Sequence, residues 1–315
     1  MAPVLLCVSV DCECDKGPAW KTQRPLRFTG VHGGIAGRIH PLLSKYGGKP
    51  TYLLSPEVVR DPGCVEALAS LRDCELGTHL HGEMAEPGAF APEVTLDVQR
   101  EYPPEIERAK MASLTESFRV AFGRAPASFR AGRFGIGPGT ISILEQLGYA
   151  VDSSVTPGVD WSRVSRGLTF AGAPRQPYHP DPADPATPGR SSVLEVPVTT
   201  APSAAARLPL VGRLAGPRWL RPTRTGARAL VRTARDAVER ARREDPGCVV
   251  VLNAMFHNVE VVAGASPYAA TDAAAATILS RLEALLAWAQ SEGAKQVGLA
   301  DVAGEIGSRG AREAR

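Results

Sequence analysis

The stretch Glu75-Leu76-Gly77-Thr78-His79-Leu80-His81-Gly82-Glu83 puts two of the chain's six histidines two residues apart. They follow a short apolar run and a glycine, and two acidic residues flank them. Imidazoles gathered at a strand end suit a divalent metal or a proton-transfer site. For His-x-His alone, one exposed and one hydrogen-bonded loop histidine is the competing reading. The rest of the chain decides between them. Asp11, Glu13 and Asp15 directly follow the first apolar run, Arg130 and Arg133 the fourth, Asp152 the fifth, and Asn253 and His257 a late one. In parallel α/β folds the carboxyl ends of the strands lie together and build the site, so these residues are expected to converge. The set has no serine in a nucleophile-elbow setting. Gly132 to Gly139 is glycine-rich but matches neither GxGxxG nor a P-loop. Carboxylates, imidazoles and an arginine fit metal-assisted hydrolysis, in which a free carboxylate takes a proton from water.

The elements that position these residues read as alternating strands and helices, the pattern of a parallel sheet with helices outside. Val4 to Val10 is nearly unbroken apolar, as for a strand buried on both faces. Further strands are expected at Thr51–Leu54, Cys74–Gly77, Ser128–Arg130, Tyr149–Asp152, Val193–Val198, Cys248–Leu252 and Val297–Leu299. Helices are expected from Ile35 to Tyr46, at Pro62–Leu71, Pro103–Phe122, Pro138–Leu147, Thr225–Arg243 and Ala270–Ala289. Six prolines (174, 177, 180, 182, 185 and 188) make a loop or extended segment. One domain over 1–307 is expected, with this Pro-rich insertion around 172–222 and a flexible tail at 308–315.

Composition bounds the class. The 315 residues are 44% hydrophobic and 22% charged with net charge +3, which reads as soluble and globular. Arginines between Arg218 and Arg243 are interrupted by Asp236 and Glu239; a solvated helix face is the plain reading, an anion-binding patch the alternative. No nucleic-acid partner is expected. No apolar stretch reaches 18 residues, so no membrane span is expected. Without a signal peptide or a disulfide-scaffold spacing of its six cysteines, the chain is expected to be cytoplasmic. Cys7, Cys74 and Cys248 read as small buried residues.

Ordered motifs along the chain resemble those of the polysaccharide deacetylases with the NodB homology domain, from about Val4 to Val302. Ser9-Val10-Asp11-Cys12-Glu13 resembles the first motif, usually Thr-Phe-Asp-Asp-Gly, and Lys49-Pro50-Thr51-Tyr52-Leu53 the strand after it. Glu75-Leu76-Gly77-Thr78-His79 resembles the start of the histidine motif and Phe129-Arg130-Ala131-Gly132 the arginine motif. Leu147-Gly148-Tyr149 with Asp152-Ser153-Ser154, and Met255-Phe256-His257, resemble the segments that follow. The resemblance implies an incomplete (β/α)7 barrel and removal of an acetyl group from a sugar. It implies Asp11 as general base, His257 as general acid and Arg130 as the group holding Asp11 ionised. It also implies a divalent metal, zinc by preference and otherwise cobalt, nickel or iron. Two departures mark a divergent branch. Cys12 stands where the second aspartate, a metal ligand, is usual, and Glu13 is the nearest replacement. Glu83 stands where the second histidine is usual; His81 is the expected substitute, with Glu83 in reserve. An exchange of roles between Asp11 and Glu13 is the alternative assignment.

The expected metal ligands are therefore Glu13, His79 and His81, and the expected substrate an acetylated amino sugar on a small glycoside, a nucleotide or a lipid. The alternatives are a metal-free or differently loaded C–N amidohydrolase of allantoinase-like type, and a non-catalytic sugar-binding homologue. Trp20, Arg133 and Tyr178 are the expected substrate contacts. Trp161, Trp219 and Tyr268 are further rim candidates, and His32 a candidate active-site loop residue. His40 reads as structural. Cys12 and Cys14 read as packing residues beside the acidic pair, with zinc ligation as the alternative.

Overall fold

Period-two alternation along β1 (Val4–Cys12) sets the plan of the molecule. In the computed structural model, which describes residues 2–89, 98–203 and 216–313, every residue of β1 is buried, so both faces meet protein. Leu6, Val8, Val10 and Cys12 face the helices. Leu5 and Cys7 face a smaller cluster with Leu53, Val151, Leu194, Val196, Val251 and Val297 in the barrel interior. The interior line then continues through Ser9 to Asp11, apolar at one end and polar at the other.

The remaining strands are β2 (Thr51–Leu54), β3 (Glu75–Leu80), β4 (Ser128–Ala131), β5 (Val151–Asp152), β6 (Pro180–Asp181), β7 (Asp184–Pro188), β8 (Leu194–Glu195), β9 (Thr200–Ala201), β10 (Arg218–Trp219), β11 (Val250–His257) and β12 (Lys295–Gln296). The main sheet runs β11-β1-β2-β3-β4-β5-β8, parallel at every step. It is the expected incomplete (β/α)7 barrel. Helices α1 (His40–Lys45), α2 (Pro56–Arg60), α3 (Pro62–Ala69), α4 (Pro104–Phe122), α5 (Thr140–Leu147), α6 (Ala227–Glu244), α7 (Asp272–Ser291) and α8 (Val302–Glu313) follow in chain order. A π-wound segment, Gly30–Ile39, precedes α1. Glycines in the left-handed conformation end α4 (Gly123, φ 68°) and α5 (Gly148, φ 81°), where a side chain would be strained.

The barrel stays open between β8 and β11, and side-chain and main-chain hydrogen bonds bridge the gap. Gln176 accepts from the Val251 N–H (2.8 Å) and donates to its carbonyl (3.3 Å). Thr199 N–H donates to the Asn253 carbonyl (3.0 Å), and Asn253 N–H donates to Thr199 Oγ1 (2.8 Å). These bonds cover the polar edge of β11, which would otherwise stand unpaired.

Several expectations shift. The closing strand is Lys295–Gln296 beside Leu5 and Leu6, and Leu299–Asp301 is a 3₁₀ turn. The Pro-rich stretch holds an antiparallel pair, β6 with β7, where prolines sit at sheet edges. Within the loop-like 200–222 segment, β9 and β10 pair antiparallel, while 204–215 lie outside the described residues. The expected tail continues α8 to Glu313, and 314–315 lie outside the described residues. No helix among the described residues is long and apolar enough to cross a membrane.

Candidate active site

Strand parity delivers the polar residues to one mouth. On β1, Asp11 follows Ser9 on the interior side; on β3, His79 follows Gly77; on β4, Arg130 lies between two outward residues; on β11, His257 ends the strand directly opposite Asp11. Gly77 is required where it stands: a Cβ there would lie 2.5 Å from the Ser128 carbonyl and 2.8 Å from Leu53. Arg130, wholly buried, is the hub. Its Nη1 donates to Asp11 Oδ1 (2.6 Å), Nη2 to Ser9 Oγ (2.7 Å) and Ser153 Oγ (2.8 Å), and Nε to the Ser153 carbonyl (2.8 Å). Asn253 completes the network through Ser9 (2.8 Å) and Ser153 (2.9 Å). A buried guanidinium is tolerated because its donors are satisfied in this way.

Three imidazoles converge with one orientation. His79 Nδ1 donates to the Arg130 carbonyl (3.0 Å), His81 Nδ1 to Glu83 Oε1 (3.1 Å) and His257 Nδ1 to Glu260 Oε1 (2.9 Å). Each partner fixes its ring, and all three Nε2 atoms turn toward the acidic centre. From Glu13 Oε1 they lie at 3.3 Å (His79), 3.0 Å (His81) and 3.7 Å (His257). His79 Nε2 and His257 Nε2 each stand 3.9 Å from Asp11 Oδ2.

The charges are strongly coupled. Burial alone would raise the Asp11 carboxyl, but Arg130, then His79 and His257, outweigh it and hold it below its ordinary value. Glu13 is likewise buried yet held well below the usual range by Lys16 and His81. The Lys16 ammonium is itself buried and sits 2.9 Å from Glu13 Oε2. Burial opposes a charged His81, but Glu13 and Glu83 on its two nitrogens push it up to about 10. Glu83 falls to about 2: burial opposes its charge, and His81 and Arg133 outweigh the penalty.

Above these groups opens a cleft of about 450 Å³, lined by Asp11, Glu13, His79, His81, His257, Arg133 and Trp20 among others. Phe134 and Trp161 stack on one wall (5.5 Å between centroids), with Trp219 edge-on to Trp161 (6.0 Å). Trp20 meets His257 (4.9 Å) and Tyr268 (5.3 Å) on the other. Trp20, Arg133 and Phe134 hold positive φ (53°, 55° and 56°), a conformation that non-glycine residues seldom keep unless their surroundings impose it.

Some expected residues lie elsewhere. Tyr178, expected at the substrate, bridges to β8 on the outside of the barrel, and its hydroxyl donates to the Pro185 carbonyl (2.5 Å). Asp152 points away from the mouth because parity puts Ser153 inward. It lies wholly buried beside Glu195, and burial of two adjacent carboxyls raises both. Cys12 faces outward and its thiol donates to the Val10 carbonyl (3.3 Å); Cys14 lies beside Lys16, at 3.9 Å from Nζ. His32 does not line the cleft, and Cys74 and Cys248 are only partly buried. Lys16 and Glu260 join the site beyond the residues expected from sequence; the signal for each is its spacing, three residues from Glu13 and from His257. Arg221, in the cleft wall, ion-pairs with Glu260, which also accepts from Thr223.

Glu13, His79 and His81 fit a metal ion of the zinc class. Their ligand atoms lie within 4.8 Å of one another, and the 3.0–3.3 Å spacing of Nε2 from Oε1 matches the roughly 3.3 Å ligand separation of a tetrahedral zinc site.

No family model matches the chain, and no curated protein does. Solved structures do. A Parabacteroides distasonis protein assigned as a glycoside hydrolase/deacetylase superposes with TM-score 0.64 at 12% identity, over 96% of this chain and 70% of that one. A probable polysaccharide deacetylase from Pseudomonas aeruginosa PAO1 gives 0.58 at 15%, over 96% and 91%. Puue allantoinase gives 0.56 at 16%, over 96% and 90%. The chain thus shares the fold of the polysaccharide deacetylases, as its motifs implied.

Proposed function

We propose that this chain is a metal-dependent hydrolase that removes the acetyl group from an acetylated amino sugar. One observation carries the reading: three imidazoles, each locked through Nδ1, present Nε2 to a carboxylate pair at the mouth of a deacetylase-type barrel. Glu13, His79 and His81 would hold the ion, zinc by preference. When bound, it supplies Lewis-acid polarisation of the acyl carbonyl.

The chain's own groups supply the proton movements. Asp11 Oδ1 is committed to Arg130, so Oδ2 is the atom free to take a proton from water. The depressed Asp11 carboxyl is ionised at neutral pH, as a base must be. His257 presents Nε2 across from Asp11 and protonates the leaving amine, while Glu260 holds its Nδ1. Trp20 and Arg133 border the cleft where the sugar would lie.

A second reading, an allantoinase-like hydrolase that needs no metal or carries a different one, is favoured by Lys16. Its ammonium already neutralises Glu13 without an ion. Acetate release from small N-acetylated glycosides, measured with zinc-loaded and chelator-stripped protein, separates the two. Activity lost on chelation and restored by zinc supports the deacetylase. Hydrolysis of a C–N bond that is indifferent to chelation favours the second. No acetate release from any acetylated sugar by fully loaded protein would overturn the first.

A further inference from the structure

We propose that His32, Asp61 and Cys64 form a second site for a zinc-class cation, on the outside of the barrel. A ring nitrogen, a carboxylate oxygen and Sγ lie within 4.8 Å of one another, between the π-wound segment and the start of α3. Cys64 is wholly buried, Asp61 half-buried and His32 exposed, so the trio has a protein-facing base and a solvent-facing opening. Gly63 leaves room for the ring: even a Cβ there would stand at ordinary contact distance from the His32 ring, 3.7 Å from Cε1.

The donor types set the class of ion. A thiolate and an imidazole with one carboxylate select zinc-like cations; magnesium and calcium prefer all-oxygen shells. The thiolate and carboxylate together balance a dication; burial and then Asp61 push the Cys64 thiol up, so the bound ion itself must draw off its proton. Asp61 caps α3 with Oδ1 on the Cys64 N–H (2.8 Å) and retains a second oxygen for an ion. On binding, the Cys64 S–H bond breaks, a sulfur–metal bond forms and the proton leaves to solvent.

The position ties this site to the loop that carries Glu13. Asp15 accepts from the N–H groups of Thr29 (3.2 Å) and Gly30 (3.0 Å), at the head of the His32 segment. Asn258 packs against Gly30 and brackets the Glu13 main chain, accepting from its N–H and donating to its carbonyl (both 3.0 Å). An ion joining His32 to α3 braces the segment against which that loop rests.

Cobalt titration of the full chain tests the site, because a thiolate–cobalt bond gives a near-ultraviolet charge-transfer band that a Glu/His/His site lacks. The band is expected in the parent protein and in His79→Ala, and is expected to vanish in Cys64→Ser. His32→Ala, at an exposed position that leaves the fold intact, should weaken the cobalt affinity read from that band by at least about tenfold. No thiolate band at saturating cobalt, or a band that persists in Cys64→Ser, overturns the proposal.

Discussion

Glu75 and Glu13 are buried glutamates at opposite ends of the same barrel, and they live in different worlds. Glu75 accepts from Thr51 Oγ1 (2.8 Å), from Ser128 and from the Ala300 N–H (3.0 Å). Its partners are hydroxyls and main chain, and it fastens the 3₁₀ turn that precedes α8 to β2 and β4. Glu13 meets two imidazoles and an ammonium beneath an open cleft. Neutral donors consume a carboxylate's capacity and close the structure. Titratable donors can exchange a proton for a metal ion and leave the site able to react.

Breaking this contrast most severely means neutralising the base at the reactive end. Asp11→Asn should lower kcat about 10³-fold with the fold intact, checked by acetate release and thermal melting. A variant within a few-fold of the parent would strip Asp11 of its role. Glu260→Gln unpins His257 and should lower kcat about 10²-fold, because the ring loses the carboxylate that aims it.

The exchange Glu13→Gln against Glu75→Gln sharpens the comparison. The first should weaken zinc affinity by at least about tenfold. The second should leave zinc affinity alone and destabilise the fold by about 1–3 kcal/mol, read by urea unfolding. Equal zinc loss in both would erase the distinction.

Acidity gives a smaller, graded effect. Burial opposes the Glu260 charge, but Arg221, His257 and Thr223 outweigh it and hold the carboxyl below its ordinary 4.5. A group depressed in the folded state stabilises fully above its unfolded value, and that stability drains as pH falls through the folded one. Melting temperature should therefore drop more steeply below about pH 4.5 in the parent than in Glu260→Gln. Parallel curves would remove Glu260 from the account.

The sequence was legible wherever strand order and parity alone decide position. Apolar runs ending in Asp11, His79, Arg130 and His257 announce a common mouth, because parallel strands carry their carboxyl ends together. Asp152 shows the limit: being one residue out of phase turns it outward against Glu195, and a two-residue strand offers no alternation to read. Tyr178 was illegible for another reason, since an irregular Pro-rich segment has no period from which to derive its direction. Glu260 and Lys16 lay within reach of a helical-turn spacing, but their importance depends on which way a ring or an ammonium is aimed.

The open seam between β8 and β11 has a consequence for how this protein can be altered. A barrel closed by a continuous ladder takes in extra chain only in the loops at its two ends. Here the closure rests on Gln176, Thr199 and Asn253, and the β6–β7 and β9–β10 excursions both leave from its flank. The exposed turn between β6 and β7 is therefore the natural port for grafting a foreign module, since lengthening it strains none of the seven parallel strands.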